Sequence, residues 1–256
     1  MRTVSVTRYV TPLREGGSMP AIVEADDDGT YVLKFRGAGQ GPRALIAELI
    51  AGALAEALGL RLPERVFADL DTTLARTEGD PEVQALIQAS GGRNLALDYL
   101  PGAANFDPLA DPVDERLASE IVWFDAFISN VDRTARNTNL MMWHDALWLI
   151  DHGAAFYFHH NWDGGTQRAT APFAHIREHV LLPTATALEA ADAALAPRLS
   201  EALFQETLAR VPDEWLAAPG AFADPATQRA AYVAYLTRRL AGRAAFVQEA
   251  LRARAS

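Results

Sequence analysis

Three oxygen-bearing side chains stand at fixed intervals in the middle of the sequence. Asp132 is followed five residues later by Asn137, and Asp151 comes fourteen residues after Asn137. The apolar stretches at 140–143 and 146–150 predict a two-stranded hairpin between Asn137 and Asp151. The pattern therefore predicts an acidic loop, a hairpin, and a second acid at the exit of the hairpin.

This arrangement suits phosphoryl transfer from a nucleotide. One carboxylate orients the acceptor hydroxyl and takes its proton, while an amide oxygen and a second carboxylate hold Mg²⁺ against the phosphates. Asp132, Asn137 and Asp151 supply these groups in the order of the kinase pattern, Asp-x-x-x-x-Asn and then a strand ending in Asp-Phe-Gly. Here His152 replaces the Phe. Asp and Asn are also common turn formers, so a purely structural loop is the competing interpretation.

A single lysine marks a second candidate site. Of the 23 basic residues, only Lys34 is not an arginine. Lysine is a compact ammonium and arginine a planar fork, so a site shaped for one often rejects the other. Lys34 lies in the third of three predicted strands, and Gly16, Gly17 and Ser18 lie in the loop between the first two. Kinases cover the phosphates with a glycine-rich loop and reach them with a third-strand lysine, so we expect these four residues to bind nucleotide. The loop lacks the full Gly-x-Gly-x-x-Gly pattern, so an ordinary hairpin turn is the competing interpretation of its three residues.

A predicted helix follows the lysine strand. The apolar pattern predicts a helix from 44 to 58, with Glu48 in its first half. In kinases a helix glutamate pairs with the strand lysine, and Glu48 is a better candidate than Glu56 for this role. A solvated helix carboxylate is the competing interpretation of Glu48. The run Gly37 to Gly41 exposes backbone N–H groups ahead of this helix, so it either contacts phosphates or serves as a linker.

Later segments complete the predicted architecture. A strand at 94–100 leads out of the first part of the chain, and we expect Leu97 and Tyr99 to border the adenine. The patterns at 80–90, 114–129 and 198–211 favour helices, and a longer helix is predicted from Asp224 to about residue 252. The prediction of each segment rests on its apolar periodicity and on its capping residues.

Composition narrows the classes of function. The chain has 256 residues, half of them hydrophobic, and no cysteine, which excludes disulfides and thiolate chemistry. Its formal charge of −10 argues against general nucleic-acid binding, because phosphate backbones demand a basic face. No apolar run approaches the roughly eighteen residues that span a bilayer. The N-terminal residues lack a signal-peptide pattern, and we therefore expect a cytoplasmic protein without a membrane partner.

The sequence resembles the HipA-like kinase family. The likeness rests on Tyr31-Val32-Leu33-Lys34-Phe35 with the glycine run and helix that follow, on the loop from Asn130 to Asn137, and on Leu149-Ile150-Asp151. The resemblance implies an α+β, bilobal, protein-kinase-like fold, with a small β-rich N-lobe that has one helix and a larger, mainly helical C-lobe. We expect residues 1–101 to form the nucleotide-binding N-lobe and residues 102–256 the catalytic C-lobe.

The resemblance also implies roles for individual residues. Asp132 would be the catalytic base, Asn137 and Asp151 the Mg²⁺ ligands, and Lys34 the phosphate-binding lysine. The family's toxin kinase has a His and a Lys within its catalytic loop, where this chain has a Thr and Arg136. We expect Arg136 to contact the transferred phosphate.

The implied activity is phosphorylation of a protein Ser or Thr with ATP and Mg²⁺. Small-molecule kinases also use Asp, Asn and a later Ile-Asp, so a small-molecule acceptor is an alternative. A third alternative is a nucleotide-binding pseudokinase that serves as an interaction module, although the complete set of catalytic residues argues against it. The chain is much shorter than the toxin kinase, so that protein's partners are not carried over.

Overall fold

The computed structural model describes residues 1–13, 19–39, 41–162, 165–216 and 222–256. Five strands close into a barrel near the N-terminus: β1 (Thr3–Pro12), β2 (Ala21–Ala25), β3 (Thr30–Lys34), β4 (Arg65–Leu70) and β5 (Gly92–Asp98). Their order around the barrel is β1-β2-β3-β5-β4, and only the β1–β4 pair is parallel. In β2 the buried side chains Ala21, Val23 and Ala25 alternate with partly exposed ones, as a strand with one face inside a barrel requires.

Two α-helices accompany the barrel. Helix α1 (Pro42–Leu58) begins with proline and ends at Gly59, whose φ of 77° is the left-handed conformation typical of helix ends. Helix α2 (Pro81–Ala89) confirms the short helix predicted at 80–90, and the Asp80 carboxylate accepts a hydrogen bond from the Glu82 N–H at its start. The expectation of one helix in this part of the chain is therefore wrong.

The rest of the chain is mainly helical around a small sheet. Strands β6 (Ala104–Asn105), β7 (Leu140–Trp143) and β8 (Ala146–Leu149) form that sheet in this order. The helices are α3 (Glu115–Ile128), α4 (Leu188–Leu195), α5 (Glu201–Ala209), α6 (Asp213–Leu216), α7 (Pro225–Ala241) and α8 (Ala244–Ala255). The predicted hairpin and the predicted helix before the acidic loop are confirmed. Short 3₁₀ turns occupy much of the segment between β8 and α4.

The long C-terminal helix predicted from Asp224 to about residue 252 is interrupted. It divides at Gly242 into α7 and α8. A Cβ at Gly242 would lie 2.7 Å from Cγ2 of Thr170, so this point of close contact requires glycine. The apolar pattern of the sequence continues across Gly242, because both helices bury an apolar face against the same core.

Buried apolar side chains form two clusters. The smaller fills the barrel and includes Val23, Tyr31 and Leu33. The larger joins α1 to α3 and to the C-terminal helices. Most of α1 is therefore buried, and its side chains share a core with residues beyond 101. We retain residues 1–101 and 102–256 as a proposed division of function. Across the described residues, no helix is long and apolar enough to cross a membrane.

Candidate active site

A cleft of about 1250 Å³ lies between the barrel strands and the β7–β8 hairpin. Apolar side chains from both sides line it, among them Ile22, Val32, Pro63, Leu97, Leu100, Leu140, Met141 and Ile150. Tyr99 lines it as well, so both residues expected to border the adenine face this cleft. Gly16, Gly17 and Ser18 lie outside the described residues, but Leu13 and Pro20 on either side of them also line the cleft.

The only lysine of the chain is held between two carboxylates at the cleft wall. Nζ of Lys34 lies 2.6 Å from Oε2 of Glu48 and 2.6 Å from Oδ1 of Asp151. Burial opposes the charge, but the two carboxylates outweigh it and raise the pKa of Lys34 above its ordinary value. Glu48 is completely buried and is not a solvated helix carboxylate. Glu56 instead pairs with Arg65, at 2.6 Å.

His152, which replaces the Phe of the kinase pattern, is also completely buried and contacts Glu48 twice. Its backbone N–H donates to Oε2 of Glu48 at 2.8 Å, and its Nδ1 lies 3.2 Å from Oε1. Burial raises the pKa of Glu48, but the Lys34 charge and the hydrogen bond from His152 outweigh it and lower this pKa well below its ordinary value. One ionised carboxylate thus joins the lysine strand, α1 and the residue next to Asp151.

The loop after α3 holds Asp132 beside the same wall. Oδ2 of Asp132 accepts hydrogen bonds from Nδ2 of Asn137 at 2.8 Å and from Nδ2 of Asn139 at 3.2 Å. The backbone N–H of Asp132 donates to Oδ1 of Asn130 at 3.2 Å. The carboxylate is half-buried, whereas Arg136 and Asn137 are exposed and line the cleft. The loop therefore presents an amide and a guanidinium to the cleft, next to an oriented carboxylate.

Several oxygens of the site remain available to a ligand. Within the part of the chain that the structure describes, no donor reaches Oδ1 of Asp132, Oδ2 of Asp151 or Oδ1 of Asn137. Asp151 has a φ of 51°, a left-handed conformation that is uncommon outside glycine, asparagine and aspartate. This backbone bend lies two residues after the end of β8, and Oδ1 of the same residue contacts Lys34.

The glycine run after β3 had two interpretations in the sequence, phosphate contact and a linker. The N–H groups of Gly37, Ala38 and Gly41 donate to Ser90 Oγ, Phe35 O and Ala38 O, at 3.0, 3.2 and 2.8 Å. None of the described residues of this run lines the cleft. These contacts favour the linker interpretation over phosphate binding.

Sequence reasoning assigned no role to a set of buried polar groups behind the site. They are Asp125 on α3, Arg133 in the loop, Asn139, His152 and His179. Asn139 and His152 are close in sequence to predicted site residues, which is a weak signal. Asp125 and His179 carry no such signal, because only the fold brings α3 and the segment near residue 179 to the loop.

Comparison with known proteins identifies the fold. A family model described as HipA-like kinase matches residues 6–246. The structure of the Helicobacter pylori proinflammatory kinase CtkA is similar with a TM-score of 0.56 and 11% identity, over 98% of this chain and 97% of that one. The structure of the Golgi casein kinase with Mn/ADP bound gives a TM-score of 0.51, and another structure of the Golgi casein kinase gives 0.54.

The Golgi casein kinase structures share 14% and 11% identity with this chain, over 94% and 97% of it and 74% of theirs. Identities this low show a common kinase-like fold and nothing finer. No curated protein sequence matches the chain.

Proposed function

Because the chain belongs to the HipA-like kinase family, we propose that it transfers the γ-phosphoryl group of ATP to a Ser or Thr hydroxyl of a protein, with Mg²⁺. The observation that carries this proposal is the single cleft that brings together Lys34 from the barrel, Asn137 from the loop and Asp151 from the hairpin. These residues are distant in sequence, and Asp132 is hydrogen-bonded to one of them. A structural turn would not need such an assembly.

The donor set fits a magnesium–nucleotide complex. Mg²⁺ prefers oxygen ligands and usually takes one or two from the protein, completing its shell with phosphates and water. Asn137 and Asp151 each offer an oxygen that binds no donor among the described residues. Within the described ranges of the chain, no group of three or more His, Asp or Glu side chains is suited to a metal. Bound Mg²⁺ would neutralise the charge of the phosphates.

The protein's own groups would divide the remaining work. Lys34 would place its ammonium on the phosphates, with Glu48 as the partner that keeps it in position. Asp132 would accept the proton of the acceptor hydroxyl and orient its oxygen toward the γ-phosphorus, which is the role of a general base in this reaction. Arg136, exposed and without an ion pair among the described residues, would bind the transferred group.

A protein acceptor is favoured by the exposure of the loop. Ala135, Arg136 and Asn137 are all exposed, so a folded polypeptide can approach Asp132 from solvent. A small-molecule kinase would instead enclose its acceptor, so the exposure of these three residues favours a protein.

Incubation of the purified protein with γ-labelled ATP and a cell lysate tests the proposal, with Asp132→Asn as the inactive control. Label on protein Ser or Thr that depends on Asp132 supports it. Label that appears only in small molecules would establish the small-molecule alternative. Binding of Mg-ATP without any transfer would indicate a pseudokinase.

A further inference from the structure

A completely buried carboxylate lies directly behind the acidic loop. Asp125, on α3, accepts hydrogen bonds at both oxygens: Oδ1 from Nδ2 of Asn130 at 3.0 Å, and Oδ2 from Nε of Arg133 at 2.5 Å and from Nε2 of His179 at 2.9 Å. Burial raises the pKa of Asp125, but the charge of Arg133 and the bond from His179 outweigh it and lower this pKa well below its ordinary value. We call Asp125, Arg133 and His179 the loop cluster.

Arg133 connects this carboxylate to both ends of the hairpin. Its Nη1 donates to the backbone oxygens of Asn139, just before β7, and of Ile150, just after β8. Arg133 itself is completely buried and follows Asp132 directly in the chain. Arg133 is next to the proposed base, and its side chain binds the backbone of Ile150, the residue before Asp151.

His179 closes the cluster from the far end of the segment that follows the hairpin. The backbone N–H of Leu181 donates to its Nδ1 at 3.0 Å, so the proton lies on Nε2, which donates to Asp125. Burial lowers the pKa of His179 despite the nearby carboxylate, which agrees with this neutral form. The N–H of Val180 also donates to the backbone oxygen of Arg133 at 3.1 Å.

We infer that Arg133, held by Asp125 and His179, is a positioning residue that fixes Asp132 relative to the hairpin end carrying Asp151. The inference rests on the proposed function for its catalytic consequence. Asn130 adds a second hold, because it accepts from the N–H of Asp132 and donates to Asp125. The backbone on both sides of Asp132 is thus tied to one carboxylate.

An arginine is required for this geometry. Its planar fork uses Nε for the carboxylate and Nη1 for the two carbonyls, whereas lysine has a single nitrogen and cannot serve both directions. Arg133→Lys would keep the charge opposite Asp125 and lose the link to the hairpin. Misplacement of a reacting group by about 1 Å can cost roughly a hundredfold in rate.

The experiment compares Arg133→Lys with Arg229→Lys. Arg229 is a matched control, because it also binds one carboxylate, that of Asp213, and two backbone oxygens, those of Leu208 and Val211, but it joins α7 to α5 and α6. We expect kcat to fall about 10–100-fold in Arg133→Lys, with KM for ATP within about threefold of wild type. Arg229→Lys should lower only the melting temperature. Equal kcat in the two folded variants would overturn the inference.

A second pair of variants guards against misfolding of Arg133→Lys. His179→Leu removes the donor to Asp125, whereas His179→Gln keeps an N–H at a similar reach. We expect His179→Leu to lower kcat and His179→Gln to restore most of it. A purely structural role would give the same kcat per folded molecule in both, and that result would contradict the inference.

Amide hydrogen exchange of the nucleotide-free proteins separates this inference from the proposed function. In Arg133→Lys, exchange should become at least about tenfold faster in residues 132–139 and 179–181, and it should not change there in Arg229→Lys. Should the wild type transfer no phosphate to any acceptor, the proposed function fails, and exchange still decides whether Arg133 fixes the loop. Unchanged exchange in Arg133→Lys would overturn the inference in either case.

Discussion

The cleft wall and the interior behind it hold carboxylates in two different ways. Asp151, at the wall, and Asp132, in the loop beside it, are partly exposed, and each keeps one oxygen without a donor from the described residues. Glu48 and Asp125, in the interior, are completely buried, and every carboxylate oxygen has a partner. The exposed acids retain the capacity to bind ligands, while the buried acids have used theirs on the protein itself.

This difference separates chemistry from scaffold. An ionised carboxylate in the interior is tolerated only when its charge is paired and its oxygens are hydrogen-bonded, and removing one partner is costly. Replacing an exposed carboxylate by its amide lowers the stability of the protein only a little. Substitution of the acids at the wall should therefore change ligand binding and turnover, and substitution of the two buried acids should also change stability.

The largest expected effect is on turnover at the wall. Asp132→Asn removes the base and keeps the side-chain shape, so kcat should fall about 10²–10⁴-fold, roughly 3–5 kcal/mol of barrier. Affinity for Mg-ATP, measured by calorimetry, should stay within a few-fold because Lys34 and Asp151 are untouched. Asp145→Asn, in the exposed hairpin turn, is the matched control. Loss of folding in Asp132→Asn would show that the carboxylate is structural.

Lys34 pairs with the buried Glu48 and with Asp151 at the wall. Its replacement should therefore change both ligand binding and stability. Lys34→Ala should weaken Mg-ATP binding about 10–100-fold, since hydrogen bonds to charged groups contribute roughly 1.5–3 kcal/mol. It should also lower the melting temperature, because Glu48 then keeps only His152 as a partner. Lys34→Arg separates charge from shape, and we expect it to bind more weakly than wild type. Unchanged affinity in both variants would remove Lys34 from the site.

The metal prediction concerns Asp151 alone. Asparagine tolerates the left-handed backbone at this position better than alanine does, so Asp151→Asn is the cleaner variant. It should abolish the magnesium-dependent part of the thermal shift that ATP produces. A tightly bound ligand at a hundred times its Kd stabilises by about 2.7 kcal/mol, which is readily measured. A shift equal to that of wild type or Asp145→Asn would contradict the assignment.

The smallest effect is the pH dependence that the interior acids impose. The pKa values of Glu48 and Asp125 lie below their ordinary values of 4.5 and 3.8, so the unfolded chain takes up these protons first as the pH falls. The contribution of these two carboxylates to stability should therefore be constant above about pH 5 and decline below about pH 4.5. Each group contributes a slope of up to about 1.4 kcal/mol per pH unit.

Urea unfolding between pH 3 and 7 measures this slope. Glu48→Gln should reduce the slope by up to about 1.4 kcal/mol per pH unit, because one fewer carboxyl group takes up a proton on unfolding. Glu189 is an exposed carboxylate on α4, and Glu189→Gln is the control. Equal slopes for wild type and Glu48→Gln would mean that Glu48 is not held ionised by its neighbours.

Local patterns were enough to predict most of the elements. Alternation and capping residues predicted the barrel strands, α1, α3 and the hairpin, because these signals depend on residues close together in the chain. They failed at Gly242, where the structure divides a continuous helical pattern into α7 and α8 and where a Cβ would lie 2.7 Å from Cγ2 of Thr170. They also missed the closure of the sheet into a barrel through the parallel pairing of β1 with β4, since pairing over more than sixty residues leaves no local trace.

The sequence by itself determined which residue types were available for the chemistry: one lysine, a spaced Asp and Asn, and an Asp at a strand end. Only the tertiary structure decided which of them meet. It places Lys34 between Glu48 and Asp151, separated from it by 14 and 117 positions, and it buries Asp125, Arg133 and His179 together behind the loop. Burial and long-range ion pairing depend on how the core packs, and for that reason these contacts cannot be derived from spacing along the chain.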